Sequence, residues 1–438
     1  MSASSLNAPA GELKHDALTG RSLYRKLTLR IAPFLCLCFF AAFLDRVNVG
    51  IAKLQMLDSL GFSETVYGLG AGLFFVGYIL FEVPSNLILQ KVGARFWIAR
   101  IMVTWGILSG LTMFVKTPGQ FYVARFLLGL AEAGFLPGAL LYLTYWFPDA
   151  RRGRIVALFM VGLPMSSLLG APLSGWILSS FDGVQGLQGW QWLFALEALP
   201  SVVLGVLVYT FLPGKYHNAR FLTPVELALL TQDIGTDQEE KKGHQLGQAF
   251  SDPKVWAVGY LDLCILLCFY SISFWMPTML REAGVRSPGE IGALVAIPNA
   301  LAVVMVLVTG ISSDRFRERR WHVAVPFLCS AFGLIASAFC SGSVVATVVV
   351  LSLANAGAAA AMPVVWSLPS TFLKGTAAAA GIAFACSIAN LGGFASTYFL
   401  GWLKVQTHSM SAGVITFGVC LLAGCALALA MPKRIVNR

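Results

Sequence analysis

Long apolar runs alternate with short polar or Gly/Pro-marked turns along nearly the whole chain. Each run has about the 20 residues a helix needs to cross roughly 30 Å of hydrocarbon. Twelve such runs occur, beginning near Arg30, Val66, Phe96, Gln120, Gly153, Trp190, Pro253, Gly289, Trp321, Ser343, Gly375 and Ser409. The first thirty residues are hydrophilic and carry no cleavable signal pattern. One long polar stretch, 213–252, contains TDQEEKKGHQ and divides the runs six and six. The pattern predicts an all-α integral membrane protein of twelve transmembrane helices in two pseudo-symmetric six-helix bundles. Its parts are a cytoplasmic tail 1–29, a bundle 30–212, a cytoplasmic linker 213–252, a second bundle 253–431 and a cytoplasmic tail 432–438.

Composition agrees, since 57% of the 438 residues are hydrophobic and only 12% are charged, too apolar a balance for a soluble domain. Sorting the 31 Lys and Arg by loop sets the orientation, because cytoplasmic loops hold the excess of positive charge. Twenty-four fall on the side of the N-terminus, five on the opposite side (Lys53, Lys116, Arg281, Arg286 and Lys404) and two, Arg46 and Arg125, inside apolar runs. Both termini are therefore expected in the cytoplasm, in a cell inner membrane. The net charge of +10 follows from this topology and from anionic lipid, so no nucleic-acid partner is expected. The nine cysteines lie in apolar runs without paired motifs, which argues for no disulfide, no metal site and no cofactor.

An internal echo supports duplication. NLILQKVGAR after the second run matches GISSDRFRER after the eighth at an offset of 224, and YWFPDARRGR after the fourth matches WSLPSTFLKG after the tenth at an offset of 221. Duplicated six-helix halves with a site between them are the plan of alternating-access carriers. No GxxxxGK[ST] loop occurs, which removes an ATP-driven pump, and no catalytic constellation suggests an enzyme.

Four motifs at matching positions carry a family resemblance: the Asp45-Arg46 pair, FEVPSNLIL with VGAR, ARFLLGLAEAGFLPG and SSDRFRERR. Together they resemble the major facilitator superfamily and, more narrowly, its anion:cation symporter branch, which holds the tartrate, phthalate and 4-hydroxyphenylacetate permeases. Sugar-acid carriers of that branch have Asn-Tyr where this chain has Phe43 and Leu44. The resemblance implies that Asp45 and Glu132 are the protonated carboxylates and that Arg46 and Arg125 serve the substrate anion. It also implies that Asp314 and Arg315, in the loop after the eighth span, latch one state of the carrier. The first-half copy of that loop has Gln90 where an acid is usual.

Burial cost sharpens the list of candidates. An ionised side chain at the bilayer centre costs at least ~2.5 kcal/mol on insertion scales, so each needs a partner or a function. Such groups are Asp45, Arg46, Glu82, Arg125, Glu132, Glu197 and Asp262. With a rise of ~1.5 Å per residue, Asp45, Arg125, Glu132, Tyr78 and Asn390 fall in one central layer. Arg125 and Glu132, seven residues apart, share a helix face with Gly129, which is expected to leave room there for an anion. Adjacent residues point about 100° apart, so Asp45 and Arg46 are not expected to pair. Tyr78 and Asn390 are expected to line the substrate site, Glu82 and Glu197 are assigned structural roles, and Asp262 is left open. None of the five histidines lies deep in a span, so carboxylates must carry any proton. The expected function is proton-coupled uptake of a small organic acid, such as tartrate or another carboxylate, by a monomer, with an aromatic carboxylate (phthalate, 4-hydroxyphenylacetate) or a sugar acid as the alternative substrate. Anion exchange, efflux and a non-transporting sensor are the alternatives.

Overall fold

A computed structural model describes residues 10–214, 219, 221–239, 252–316, 318–340, 342–368 and 375–432. The first span is the pair of helices Ala10–Val47 and Val49–Leu60, so helix runs unbroken from Ala10 into the membrane. The second and third are Glu64–Val92 and Ala94–Leu111. The fourth is broken into Pro118–Glu132 and Phe135–Thr144, and the fifth into Asp149–Met160 and Gly162–Ser180. Gly189–Phe211 is the sixth. Beyond the linker come Pro253–Glu282, Pro288–Phe316, Arg320–Ser337, Val344–Ser367, Gly375–Thr407 and Ser411–Ala430. Eleven of these spans are long and apolar enough to cross a bilayer among the described residues, and the helix Gly375–Thr407 completes the twelve.

The duplication read from the sequence is present in the packing. The second and eighth spans start 224 residues apart, at 64 and 288, and each has 29 residues. In the first half the first span packs on the fifth, the second on the fourth and the third on the sixth. In the other half the seventh packs on the eleventh, the eighth on the tenth and the ninth on the twelfth. The halves meet along two equivalent seams, the second span on the eleventh and the fifth on the eighth.

Both seams are built on small residues, which let backbones touch where lipid supplies no hydrophobic drive between helices. A Cβ on Gly68 would lie 2.6 Å from the Thr397 carbonyl, and one on Gly175 would lie 2.5 Å from the Pro288 carbonyl. Large apolar residues such as Leu80, Ile311 and Phe339 point outward to the lipid.

At the end of the bundle away from the termini, charges tie the halves together. Glu64 of the second span forms ion pairs with Lys53 and with Lys404 of the eleventh span, each at 2.5 Å, and Lys404 also reaches Glu282 at 2.8 Å. Arg281 pairs with Asp58 at 2.7 Å and donates to the Leu54 carbonyl at 2.5 Å. Lys53 is buried and lies over the Trp275 ring at 3.7 Å. Three of the five basic residues counted on this side from the sequence therefore form a cross-half network rather than loose loop charge.

Within the polar linker, Pro224–Glu239 is helical and docks on the first span. Leu230 and Ile234 are its buried contacts, Lys26 pairs with Glu226 at 3.0 Å, and Tyr24 donates to Asp233 at 2.5 Å. The expected gating residues Asp314 and Arg315 fall in the last turn of the eighth span. Arg315 is exposed there, and the side chain of Asp314 lies outside what is described. Residues 1–9, 240–251, 369–374 and 433–438, with Arg317, also lie outside the described residues, and with them the proline and lysine of the second sequence echo.

Candidate functional site

Two broken helices build the site. The fourth span stops at Glu132, because Ala133 turns to extended geometry and Gly134 takes φ +91°, before helix resumes at Phe135. The break frees backbone groups in the membrane, which must find partners. Ser85 supplies one, donating to the Ala133 carbonyl at 2.7 Å while accepting from Trp97 Nε1 at 2.9 Å. Discontinuous spans of this kind mark binding sites in duplicated carriers. Gly134→Ala is expected to cost about 1–2 kcal/mol for the left-handed backbone alone. Its Cβ would also meet Ser85 Oγ. Lower thermal stability together with impaired transport, measured by unfolding of the purified variant and by vesicle uptake, is the expected result.

The break ends a helix on a carboxylate. Carbonyl groups at a helix C-terminus carry partial negative charge, which suits a cation and opposes an anion. Arg46, in the last turn of Ala10–Val47, benefits from that field, whereas Glu132 ends its helix against it. Arg46 compensates. Its Nε and Nη2 both donate to Glu132 Oε1, the first at 3.1 Å, and its Nη1 donates to the Tyr270 hydroxyl at 2.9 Å. The guanidinium also lies over Phe43, Phe74 and Tyr78, at 4.5, 5.1 and 5.2 Å from the ring centroids.

These groups face a narrow cavity between the halves, with about 60 Å³ of enclosed space and about 630 Å³ when its open mouth is included. Arg46, Tyr78, Glu82 and Glu132 line it from the first half, and Asp262, Tyr270, Trp366 and Asn390 from the second. Tyr78 and Asn390 both line this cavity, and Asn390 turns its amide donor back to the Cys386 carbonyl at 3.0 Å.

Two expected members stand apart from the cavity. Asp45 points into the first bundle, where Trp105 Nε1 donates at 3.1 Å, Ser109 Oγ at 2.9 Å, and Ser201 Oγ donates as well. It does not pair with Arg46, as the 100° offset requires. Arg125 is fully buried above Glu132, over the Phe74 ring at 5.3 Å, with Nη2 3.5 Å from the Arg46 carbonyl. Its Nε and Nη1 have no hydrogen-bond partner among the described residues. Gly129 does leave room on that face, but the backbone of Phe74 fills it. The small residue serves helix packing, not an anion.

Sequence reasoning missed Tyr270 and undervalued Glu82. Tyr270 lies eight residues after Asp262 on the seventh span, about 80° around the helix from it, and both line the cavity. Glu82 lies four residues after Tyr78, one turn along the second span, and accepts from Ser387 Oγ at 3.3 Å. Glu197, by contrast, is held inside the first bundle, where Ser174 Oγ donates to it at 2.5 Å.

Comparison with known proteins places this architecture. A family model described as "Major Facilitator Superfamily" matches residues 35–397. The chain is 54% identical to the protein named "Putative metabolite transport protein NicT" of Pseudomonas putida, over 95% of this chain and 96% of that one. It is 45% identical to a "Putative tartrate transporter" of Agrobacterium vitis, over 94% and 93%. The fold matches the xylose transporter XylE from E. coli in a partially occluded inward open conformation, with a TM-score of 0.75 at 13% identity, over 92% of this chain and 99% of that one. The chain belongs to the major facilitator superfamily and is a multi-pass membrane transporter, not an enzyme.

Proposed function

We propose that this transporter takes up a small organic acid anion together with a proton, by alternating access across a bacterial inner membrane with both termini cytoplasmic. The observation that carries the reading is the sharing of one cation. Arg46 is the only Lys, Arg or His among the described residues lining the cavity, and Glu132 occupies it. A substrate carboxylate that takes Arg46 and the Tyr270 hydroxyl displaces Glu132. A carboxylate left in a membrane interior without its cation binds a proton rather than remain charged. Anion and proton therefore load together, and release of either on the other side reverses the exchange. Tyr78 and Asn390 border the bound anion.

Asp45 is the second proton-coupling carboxyl in this reading. Its three donors come from the third and sixth spans, so movement of the first span changes how many it keeps. Arg125, with two nitrogens unpartnered among the described residues, provides a further anion contact when the opposite side opens. The charged network of Glu64, Lys53 and Lys404 is then the closed outer gate, and Asp314 with Arg315 the inner latch. The names of the relatives, a tartrate transporter and a metabolite transport protein, support an organic acid as cargo.

Uptake into proteoliposomes tests the reading, with radiolabelled tartrate and radiolabelled benzoate offered in turn under an imposed inward proton gradient. Accumulation of either above that in protein-free vesicles under the same gradient, abolished when the gradient is dissipated, is expected. Uptake that reaches only equilibrium under the same gradient would contradict symport and favour anion exchange.

A further inference from the structure

A second group of polar side chains is buried inside the first bundle, away from the cavity. Asp45 and Asn48 of the first span, Ser109 of the third, Ser174 of the fifth, and Glu197 and Ser201 of the sixth are each at most 1% exposed. Neither carboxyl has an ion-pair partner among the described residues. They are supplied with donors unequally. Asp45 accepts from Trp105, Ser109 and Ser201, whereas Glu197 has one donor, Ser174 Oγ at 2.5 Å, and its Oε2 has no hydrogen-bond partner among the described residues. Asp45 and the amide of Asn48 are neighbours that act on the Glu197 carboxyl. Both polar atoms of that amide are likewise without a hydrogen bond among the described residues.

From this arrangement we infer that Asp45 and Glu197 are a proton-sharing pair. The shared proton rests on Glu197 while Asp45 keeps its three donors, and it passes to Asp45 when movement of the first span takes them away. The inference rests on the reading of Asp45 as a coupling carboxyl and adds Glu197 to the residues that handle the proton.

Three features support it. Two neighbouring carboxyls inside a membrane bundle with no cation between them do not both ionise, so the pair retains a proton. The next charged groups, Glu132 and Arg125 of the fourth span, act on Asp45, but neither hydrogen-bonds to either carboxyl. Second, the donors decide which member is charged. Hydrogen bonds to a carboxylate favour its ionised form, and Asp45 has three against one for Glu197. Third, Asn48 suits both states of its neighbour. An amide has an acceptor for the O–H of a protonated Glu197 and a donor for the carboxylate that remains when the proton leaves. In the transfer the O–H bond of Glu197 breaks and one forms on Asp45, so the pair carries a single negative charge before and after.

Infrared difference spectroscopy of the purified full-length protein in lipid, with pH stepped and no substrate present, tests the pair. A protonated carboxyl has its own C=O stretch, and the bands lost in Asp45→Asn and Glu197→Gln identify the two groups. The wild type should titrate in two steps, the upper one carried by Glu197. Glu197→Gln should lose the upper step. Asp45→Asn should lose the lower step and move the Glu197 midpoint down by about one pH unit or more, because the neighbouring negative charge is gone. Ser109→Ala, which removes one donor from Asp45 and serves if the asparagine variant does not fold, should shift band intensity from Glu197 to Asp45 at constant pH. No band lost in Glu197→Gln, or a Glu197 midpoint unchanged in Asp45→Asn, overturns the pair while leaving Asp45 as a coupling carboxyl. No band lost in Asp45→Asn overturns both.

Discussion

Arg46→Ala should abolish measurable organic acid uptake. Truncating one member of a buried, hydrogen-bonded charge pair costs about 2–5 kcal/mol, or roughly thirty- to several-thousand-fold in affinity. Arg46 serves two pairs in turn, Glu132 in the empty carrier and the substrate carboxylate in the loaded one, so both lose by its removal. The alanine variant would also leave Glu132 at a helix end with no cation beside it. Uptake measured in vesicles, beside thermal unfolding of the purified variant, separates the two effects, since a folded protein without uptake locates the loss in binding. Arg46→Lys should recover only part of the activity. A lysine ammonium cannot present the fork by which Arg46 holds Glu132 through Nε and Nη2 while giving Nη1 to Tyr270.

Glu132→Gln should have the second largest effect, and of a different kind. The amide has the shape of the acid but cannot bind or release a proton, and it no longer competes for Arg46 as an ion. Accumulation driven by a proton gradient should fall to the equilibrium level, while exchange of labelled for unlabelled substrate persists. Binding should change its pH response as well. When anion binding takes up one proton, affinity falls by up to about tenfold per pH unit as pH rises through the titration of the group that takes it. The wild type should show that fall, and Glu132→Gln, with Asp45 as the remaining coupling carboxyl, should show a shallower one. Calorimetry across a pH series gives the comparison directly.

Much of the fold was legible because the membrane imposes a coarse rule. Apolar length specifies each crossing, so all twelve helices appear near the positions read from the hydrophobic pattern, and the 224-residue echo reappears in the starts of the second and eighth spans. Depth along a helix was legible for the same reason: it put Asp45, Arg125, Glu132, Tyr78 and Asn390 in one layer, and of these Glu132, Tyr78 and Asn390 line the cavity. Direction around the helix was not. Asp45 and Arg46 have the same depth, yet one turns into the first bundle and the other into the cavity, and only the neighbours Trp105, Ser109 and Ser201 decide it. Gly129 shows the same limit, because a glycine announces close approach without saying whether a ligand or a helix approaches.

Features that depend on distant parts of the chain were also hidden. Tyr270 completes the Arg46 site from 224 residues away, and Glu64 meets Lys404 across 340. The linker read as polar throughout, although Leu230 and Ile234, four residues apart, form the narrow apolar stripe that docks its helix.

Central to the account is that anion and proton move as one load through Glu132. Proteoliposomes containing a pH-sensitive dye, with membrane potential clamped and no imposed pH gradient, report proton entry when organic acid is added outside, after subtraction of protein-free vesicles. The wild type should acidify the lumen in step with labelled substrate entry, whereas Glu132→Gln should exchange substrate without acidification. Equal acidification by the variant, or substrate entry through the wild type with no proton, would contradict the account.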